Sequence, residues 1–211
     1  MKYFLGLLLM SSVAAAESRK IIAVVDTGIN SSAKLDPFLC DLPKLNFTSD
    51  QTASDLVGHG TRVAKAIAKN INPRKYCIAS FKVFNSQAAA AVEFGTFFDK
   101  VNELRPAIIN LSYSGNYYSS IERRQLATAL MINHSKVVVA AGNNGIELRG
   151  GDSCETYPAC YKFNSNFYVI GDFYQYANYG SKITNRINSG GEGTSLSAAI
   201  FTGMLAAGLV E

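Results

Sequence analysis

Lys20-Ile21-Ile22-Ala23-Val24-Val25-Asp26-Thr27-Gly28 is the stretch on which the fold of this chain turns. Its apolar residues follow one another without polar alternation, the pattern of a strand covered on both faces in a parallel sheet. The run then stops on a carboxylate and a glycine. Residues 76–83, 107–112, 136–141 and Phe167–Gly171 repeat the strand-sized pattern. Helical spacing lies between them. Residues 59–69 put Val63, Ala64, Ile67 and Ala68 on one face, with Asn70 as a stop. A second helix is predicted from a Ser86 cap to Arg105, beyond which Pro106 cannot extend it. Ser119-Ser120-Ile121-Glu122 reads as a capping box for a third helix that runs to about Asn133, and residues 195–209 form an Ala-rich last one. Strands alternating with helices predict an α/β fold, a three-layer sandwich on a mostly parallel central sheet.

The N-terminus reads differently. Lys2, an apolar run over residues 3–10 and Ala14-Ala15-Ala16 stand in the order of a signal peptide and its cleavage site. Residues 1–16 are therefore expected to be removed on export, leaving 17–211 as one domain. The apolar run is too short to span a bilayer, so a secreted chain with no membrane anchor is expected. A mature chain of this length can bury roughly 70% of its unfolded surface in a single core. Four cysteines, Cys40, Cys77, Cys154 and Cys160, are an even number in an exported chain and favour disulfides over metal. Three pairings are open to them. Cys154 with Cys160, closing a short loop, and Cys40 with Cys77, tying a loop after Asp26 to the strand at 76–83, is the pairing expected. The net charge is +4, and basic residues run no further than pairs such as Arg123-Arg124. Nucleic-acid surfaces cluster their positive charge, so no nucleic-acid partner is expected.

Three segments carry chemistry: Val25-Asp26-Thr27-Gly28, Gly58-His59-Gly60-Thr61 and Gly193-Thr194-Ser195-Leu196. Taken singly, each has an ordinary structural explanation as a turn or a helix cap. Taken together they supply a carboxylate, an imidazole and a hydroxyl, and the chain has only two histidines, His59 and His134. A serine hydroxyl is a poor nucleophile until an imidazole takes its proton, and that imidazole needs a carboxylate to hold its tautomer. Ser195, His59 and Asp26 fit these roles. Attack on a carbonyl also builds charge on oxygen, for which the side-chain amide of Asn143 in Ala140-Ala141-Gly142-Asn143-Asn144-Gly145, with the backbone N–H of Ser195, is the candidate donor. In open parallel sheets such groups gather beyond the carboxyl ends of the strands.

At these residues the chain resembles the subtilisin-like serine peptidases, the subtilase family. The blocks around Asp26, His59 and Asn143 are joined, in family order, by Ile108-Ile109-Asn110-Leu111-Ser112, Tyr157-Pro158-Ala159, Asn178-Tyr179-Gly180-Ser181 and Gly193-Thr194-Ser195-Leu196-Ser197-Ala198. The order Asp, His, Ser is that of subtilisin, whereas chymotrypsin-like and α/β-hydrolase enzymes use others. The resemblance implies a triad of Asp26, His59 and Ser195 and an oxyanion donor in Asn143. It also implies a cleft edge formed by Ser112, Tyr113 and Ser114 that pairs with substrate backbone, and Gly142 and Asn144 flanking the primary specificity pocket.

The chain departs from the family pattern in several places. Ala198-Ala199-Ile200-Phe201-Thr202-Gly203 lacks the usual proline and histidine after the nucleophile, Arg62 stands in place of a second histidine, and Ser114 replaces a glycine, which narrows the cleft. Few residues follow Ser195 and no pro-domain precedes the first strand, so the resemblance implies a compact version in which either the disulfides and small size make up for the pro-domain or another protein, a folding partner or inhibitor, assists. No acidic cluster places a calcium ion, and no metal or cofactor is expected. Two functions follow: a secreted serine endopeptidase acting on polypeptide substrates, or a catalytically silent binding or inhibitory module derived from one.

Overall fold

The computed structural model describes residues 18–87, 94–149 and 154–211. The predicted signal segment and the start of the helix expected from Ser86 lie outside them. Ser86 itself sits in a turn and donates its hydroxyl to Asp50 Oδ1 at 3.3 Å.

The apolar run that opens the chain forms β1 (Lys20–Asp26) in a seven-stranded sheet of order β2-β3-β1-β4-β5-β6-β7. The other strands are β2 (Leu45–Asn46), β3 (Tyr76–Lys82), β4 (Ile108–Leu111), β5 (Lys136–Ala140), β6 (Phe167–Gly171) and β7 (Asn185–Arg186). Every pairing is parallel. β2 and β7, two residues each at the sheet edges, carry no periodic signal because they are loop segments laid against a longer neighbour.

The chain leaves β1 toward β3 on one side and reaches β4 on the other, so the strand order reverses at β1. Loops that diverge at such a point leave a crevice beyond the strand ends.

Parallel strands must be covered on both faces, and β1 shows how. Ile22 and Val24 face α1 (His59–Ala68) and α4 (Thr194–Ala207), while Ala23 and Val25 belong to the core shared with α2 (Phe94–Glu103) and α3 (Ser120–Met131). These four side chains are at most 1% exposed, and each large one contributes roughly 1.5–3 kcal/mol by burial. α1 packs on α4 and α2 on α3, which completes the three layers. Cys40 is bonded to Cys77 and Cys154 to Cys160, the pairing expected. Among the described residues no helix is long and apolar enough to cross a membrane.

One charge is buried in the middle of this architecture. Lys82, fully buried at the end of β3 beside Asp26, has its Nζ 2.8 Å from Asp50 Oδ2 and donates to the carbonyls of Thr52 and Ser54. An unpaired ammonium there would be severely destabilising, so the ion pair holds residues 50–54 against the sheet. That loop leads directly into the N-terminus of α1.

Candidate active site

Asp26 is the last residue of β1 and His59 the first of α1. The helix start can approach the strand end so closely because position 60 is glycine: a Cβ there would lie 2.3 Å from the Gly28 carbonyl oxygen and 3.0 Å from Asp26 Cβ. His59 Nδ1 stands 2.7 Å from Asp26 Oδ1, which also accepts from the Thr27 N–H at 2.7 Å. A carboxylate can only accept, so Nδ1 carries the proton and Nε2 is left as the base. The Asp26 hydrogen bond raises the His59 pKa above the ordinary histidine value, and burial and the nearby Arg62 charge only partly offset it.

Ser195 is the second residue of α4, where a backbone N–H has no acceptor within the helix. Two hydrogen bonds fix it to the segment after β4: Ser112 Oγ donates to the Ser195 carbonyl and Ser195 Oγ donates to the Ser112 carbonyl, at 2.9 and 2.8 Å. Ser112 is anchored from below, since its hydroxyl also reaches Asn110 Oδ1, and Asn110 Nδ2 donates to Thr202 in α4. The expected contact between Ser195 Oγ and His59 is not among the hydrogen bonds of the described residues. Ser195 Oγ is turned instead toward Ser112, and a staggered rotation about its Cα–Cβ bond would redirect it.

Asn143 follows β5 by three residues. Its Oδ1 accepts from Thr194 N–H at 2.9 Å and from Thr194 Oγ1 at 3.1 Å. The acceptor end of the amide is thereby tied to the first residue of α4, and Nδ2 is the end left to donate. Gly142, at φ +97°, makes the turn that brings Asn143 out, and its N–H donates to Thr194 Oγ1.

The cavity beside these groups, about 300 Å³, is lined by Asp26, Thr27, Val57, His59, Arg62, Phe84, Ser112, Tyr113 and Ser114. Its apolar wall is Phe84 packed edge-on against Tyr113, ring centroids 5.1 Å apart. Ser112, Tyr113, Ser114 and the Asp26–His59 pair thus share one groove. Gly142 borders it too, because a Cβ on Gly142 would sit 3.2 Å from Ser114 Oγ. Asn144 is exposed, and its N–H donates to Asn178 Oδ1 at 3.0 Å. Among the described residues no group of three His, Cys, Asp or Glu side chains is placed to hold a metal ion.

The sequence reading missed the residues that hold this arrangement in place. Asp55, 4% exposed, accepts five hydrogen bonds: from Thr27 Oγ1, the Val57 and Gly58 N–H groups, and the N–H and Oγ1 of Thr61. It therefore joins the residue after Asp26 to the first turn of the helix that carries His59. Burial pushes the Asp55 pKa up, but these bonds outweigh it and hold the carboxyl below the usual range. An acidic residue shortly before a helix was the available signal. Asn178, fully buried, does the same for the Asn143 loop, donating to the Ala141 carbonyl and accepting from the N–H groups of Asn144 and Ile146. Asp172 accepts from Ser197 and Ser189 and so steadies the start of α4.

This order of strand ends and helix starts has close counterparts. The sequence pattern of the Subtilase family matches residues 18–179, a span that ends before Ser195. No protein of curated function matches the sequence. Among solved structures, a lanthipeptide protease superposes with a TM-score of 0.70 at 17% identity, over 89% of this chain and 72% of its own. A protease from Pseudoalteromonas arctica gives 0.68 at 20% identity, over 92% and 78%. The psychrophilic subtilisin-like protease Apa1 from Pseudoalteromonas sp. AS-11 gives 0.59 at 20% identity, and the match spans 80% of this chain and 41% of Apa1. These likenesses establish the fold, and the match across most of the sequence establishes the lineage: the chain belongs to the subtilase family.

Proposed function

We propose that the chain is a secreted serine endopeptidase that hydrolyses peptide bonds through an acyl-enzyme on Ser195. The observation that carries the reading is the 2.7 Å contact between His59 Nδ1 and Asp26 Oδ1 on the same groove as the segment that holds Ser195. An imidazole fixed in this tautomer offers Nε2 as base, and the buried carboxylate stabilises the imidazolium that follows. Ser195 Oγ rotates from the Ser112 carbonyl, gives its proton to Nε2 and forms a bond to the substrate carbonyl carbon. The oxyanion that results lies by Asn143 Nδ2 and the Ser195 N–H. Collapse expels the amine, which takes the proton from His59, and water then repeats the sequence to release the acid and regenerate Ser195.

Polypeptide substrates lie along residues 112–114, which line the groove. Export is supported by the apolar N-terminal run and by two disulfides, which persist in oxidising compartments. A parallel sheet assembled from distant segments folds slowly, which gives a folding partner a physical role.

Purified chain treated with a fluorophosphonate probe is expected to be labelled at Ser195, and Ser195→Ala to abolish both labelling and turnover. In subtilisin, loss of the nucleophile lowers turnover about a millionfold, so the contrast is unambiguous. A folded wild-type chain that neither labels nor cleaves would leave the silent binding module as the function.

A further inference from the structure

Arg62 stands where the family pattern has a second histidine, and the chemistry above gives it no task. It lies three residues after His59 in the first turn of α1, a spacing that puts two side chains on the same side of a helix. Its N–H donates to the Gly58 carbonyl at 3.2 Å, and its exposed side chain lines the cavity shared by His59, Phe84, Tyr113 and Ser114. The guanidinium charge opposes protonation of His59. It therefore works against the imidazolium that forms when Ser195 attacks, and an anion that joined it would favour the reaction.

The described residues supply no such anion. Among them the Arg62 side chain has no hydrogen bond or ion pair, and Asp26 is the one acidic residue that lines the cavity. The two carboxylates whose charge reaches His59 are engaged elsewhere: Asp26 binds His59 and the Thr27 N–H, and Asp55 accepts its five bonds. The outward face of α1 continues the pattern. Val63, Ala64 and Ile67 are buried against the sheet, while Lys65 and the capping Lys69 are exposed, and neither is paired with a carboxylate among the described residues. A positive face thus runs along α1 from the groove outward, and α1 has no acidic residue to balance it.

We propose that Arg62 is a specificity-determining residue, and that the enzyme takes polypeptides with an aspartate or glutamate seated in this cavity beside the scissile bond. The proposal rests on the peptidase reading, which supplies the scissile bond and places it next to His59. The cavity, about 300 Å³, offers the two surfaces such a side chain needs: the Phe84–Tyr113 pair receives its methylenes and Arg62 its carboxylate. Arg–carboxylate pairs are frequently bidentate, so they select on geometry as well as charge. Lys65 and Lys69 extend the field that steers an acidic chain toward the groove.

The test measures kcat/KM on peptides in which each of the two residues on either side of the scissile bond is in turn Glu, Gln or Lys. Fluorophosphonate titration counts competent sites in each preparation. Comparing peptides on one enzyme at one pH cancels any effect of a variant on His59 itself. Wild type is expected to prefer Glu over Gln about tenfold at one of these positions at low ionic strength, and less at about 1 M salt, where the Debye length is about 3 Å. Arg62→Gln brings the Glu:Gln ratio to about one, and Arg62→Lys, which keeps the charge without the fork, retains part of the preference. Arg62→Glu makes Lys the favoured residue at the same position. A wild type that labels and cleaves without preferring Glu at any position, or a preference that survives in Arg62→Gln and Arg62→Glu, overturns the proposal while leaving the peptidase reading intact. Wild-type chain that neither labels at Ser195 nor cleaves overturns both.

Discussion

Asp55→Asn tests whether the site depends on the carboxylate that ties α1 to the end of β1. The substitution keeps shape and volume but turns one of two acceptor oxygens into a donor. Oδ1 accepts three bonds, two of them from the backbone N–H groups of Val57 and Gly58, and Oδ2 accepts two, one from the Thr61 N–H. The threonine hydroxyls can reverse, but backbone donors cannot. Whichever way the amide settles, at least one buried N–H faces another donor. An unsatisfied group of that kind costs about 1–3 kcal/mol. Charge assistance at the surviving bonds, which roughly doubles their strength, is lost as well. The sum is about 3 kcal/mol, which for a domain of this size lowers Tm by about 6–12 °C. Calorimetry at pH 7 with the disulfides intact measures it. The sign with pH is a second check. Because the folded-state pKa of Asp55 lies below its unfolded value, its stabilisation is complete above the unfolded value and fades as pH falls through the folded one. The gap between wild type and variant should therefore close in acid. An Asp55→Asn chain that melts within about 2 °C of wild type at pH 7 would refute the reasoning.

Further outcomes concern the groups proposed to carry the chemistry. The acid limb of kcat/KM should have its midpoint above the ordinary histidine value of about 6.5, since the Asp26 bond raises the His59 pKa and only neutral imidazole accepts the Ser195 proton. Asp26→Asn should move that midpoint down and reduce kcat about 10⁴-fold; a pH–rate profile with a midpoint at or below 6.5 would count against the pair. The same raised pKa adds stability that is complete below the unfolded histidine value and is lost as pH rises through the folded one. Asn143→Ala should lower kcat about 10²–10³-fold with KM little changed, because the amide meets charge that exists only after attack; steady-state kinetics on a peptide substrate separates the two.

The groups proposed to carry the chemistry were legible as motifs before any coordinates, and the bonds that hold them in place were not. Asp26, His59 and Asn143 sit at strand ends and helix starts, boundaries that apolar runs and glycines mark in the sequence. Asp55 and Asn178 lie in loops with no periodicity, and each acts by collecting donors from segments distant in the chain or from a turn whose shape depends on the fold. Glu122 was legible as a cap, and a cap is half of what it is. Its carboxylate turns inward because α3 packs where Tyr113 and Tyr161 present two phenols to a buried position. Ser195 shows the same limit. Its place in the first turn of α4 follows from the glycine and threonine before it, but the direction of its hydroxyl depends on the Ser112 carbonyl from the segment after β4.

Local order therefore suffices to determine the alternation of strands and helices, the two-sided burial of β1 and the motifs proposed to carry the reactive groups, since each is written in neighbouring residues and in the periods of strand and helix. Only the tertiary structure decides which donors meet each carboxylate, which residues share the groove and which way Ser195 faces. Those depend on contacts between segments far apart in the chain, whose distances are set by packing of the whole sheet and its helices rather than by any stretch of sequence read alone.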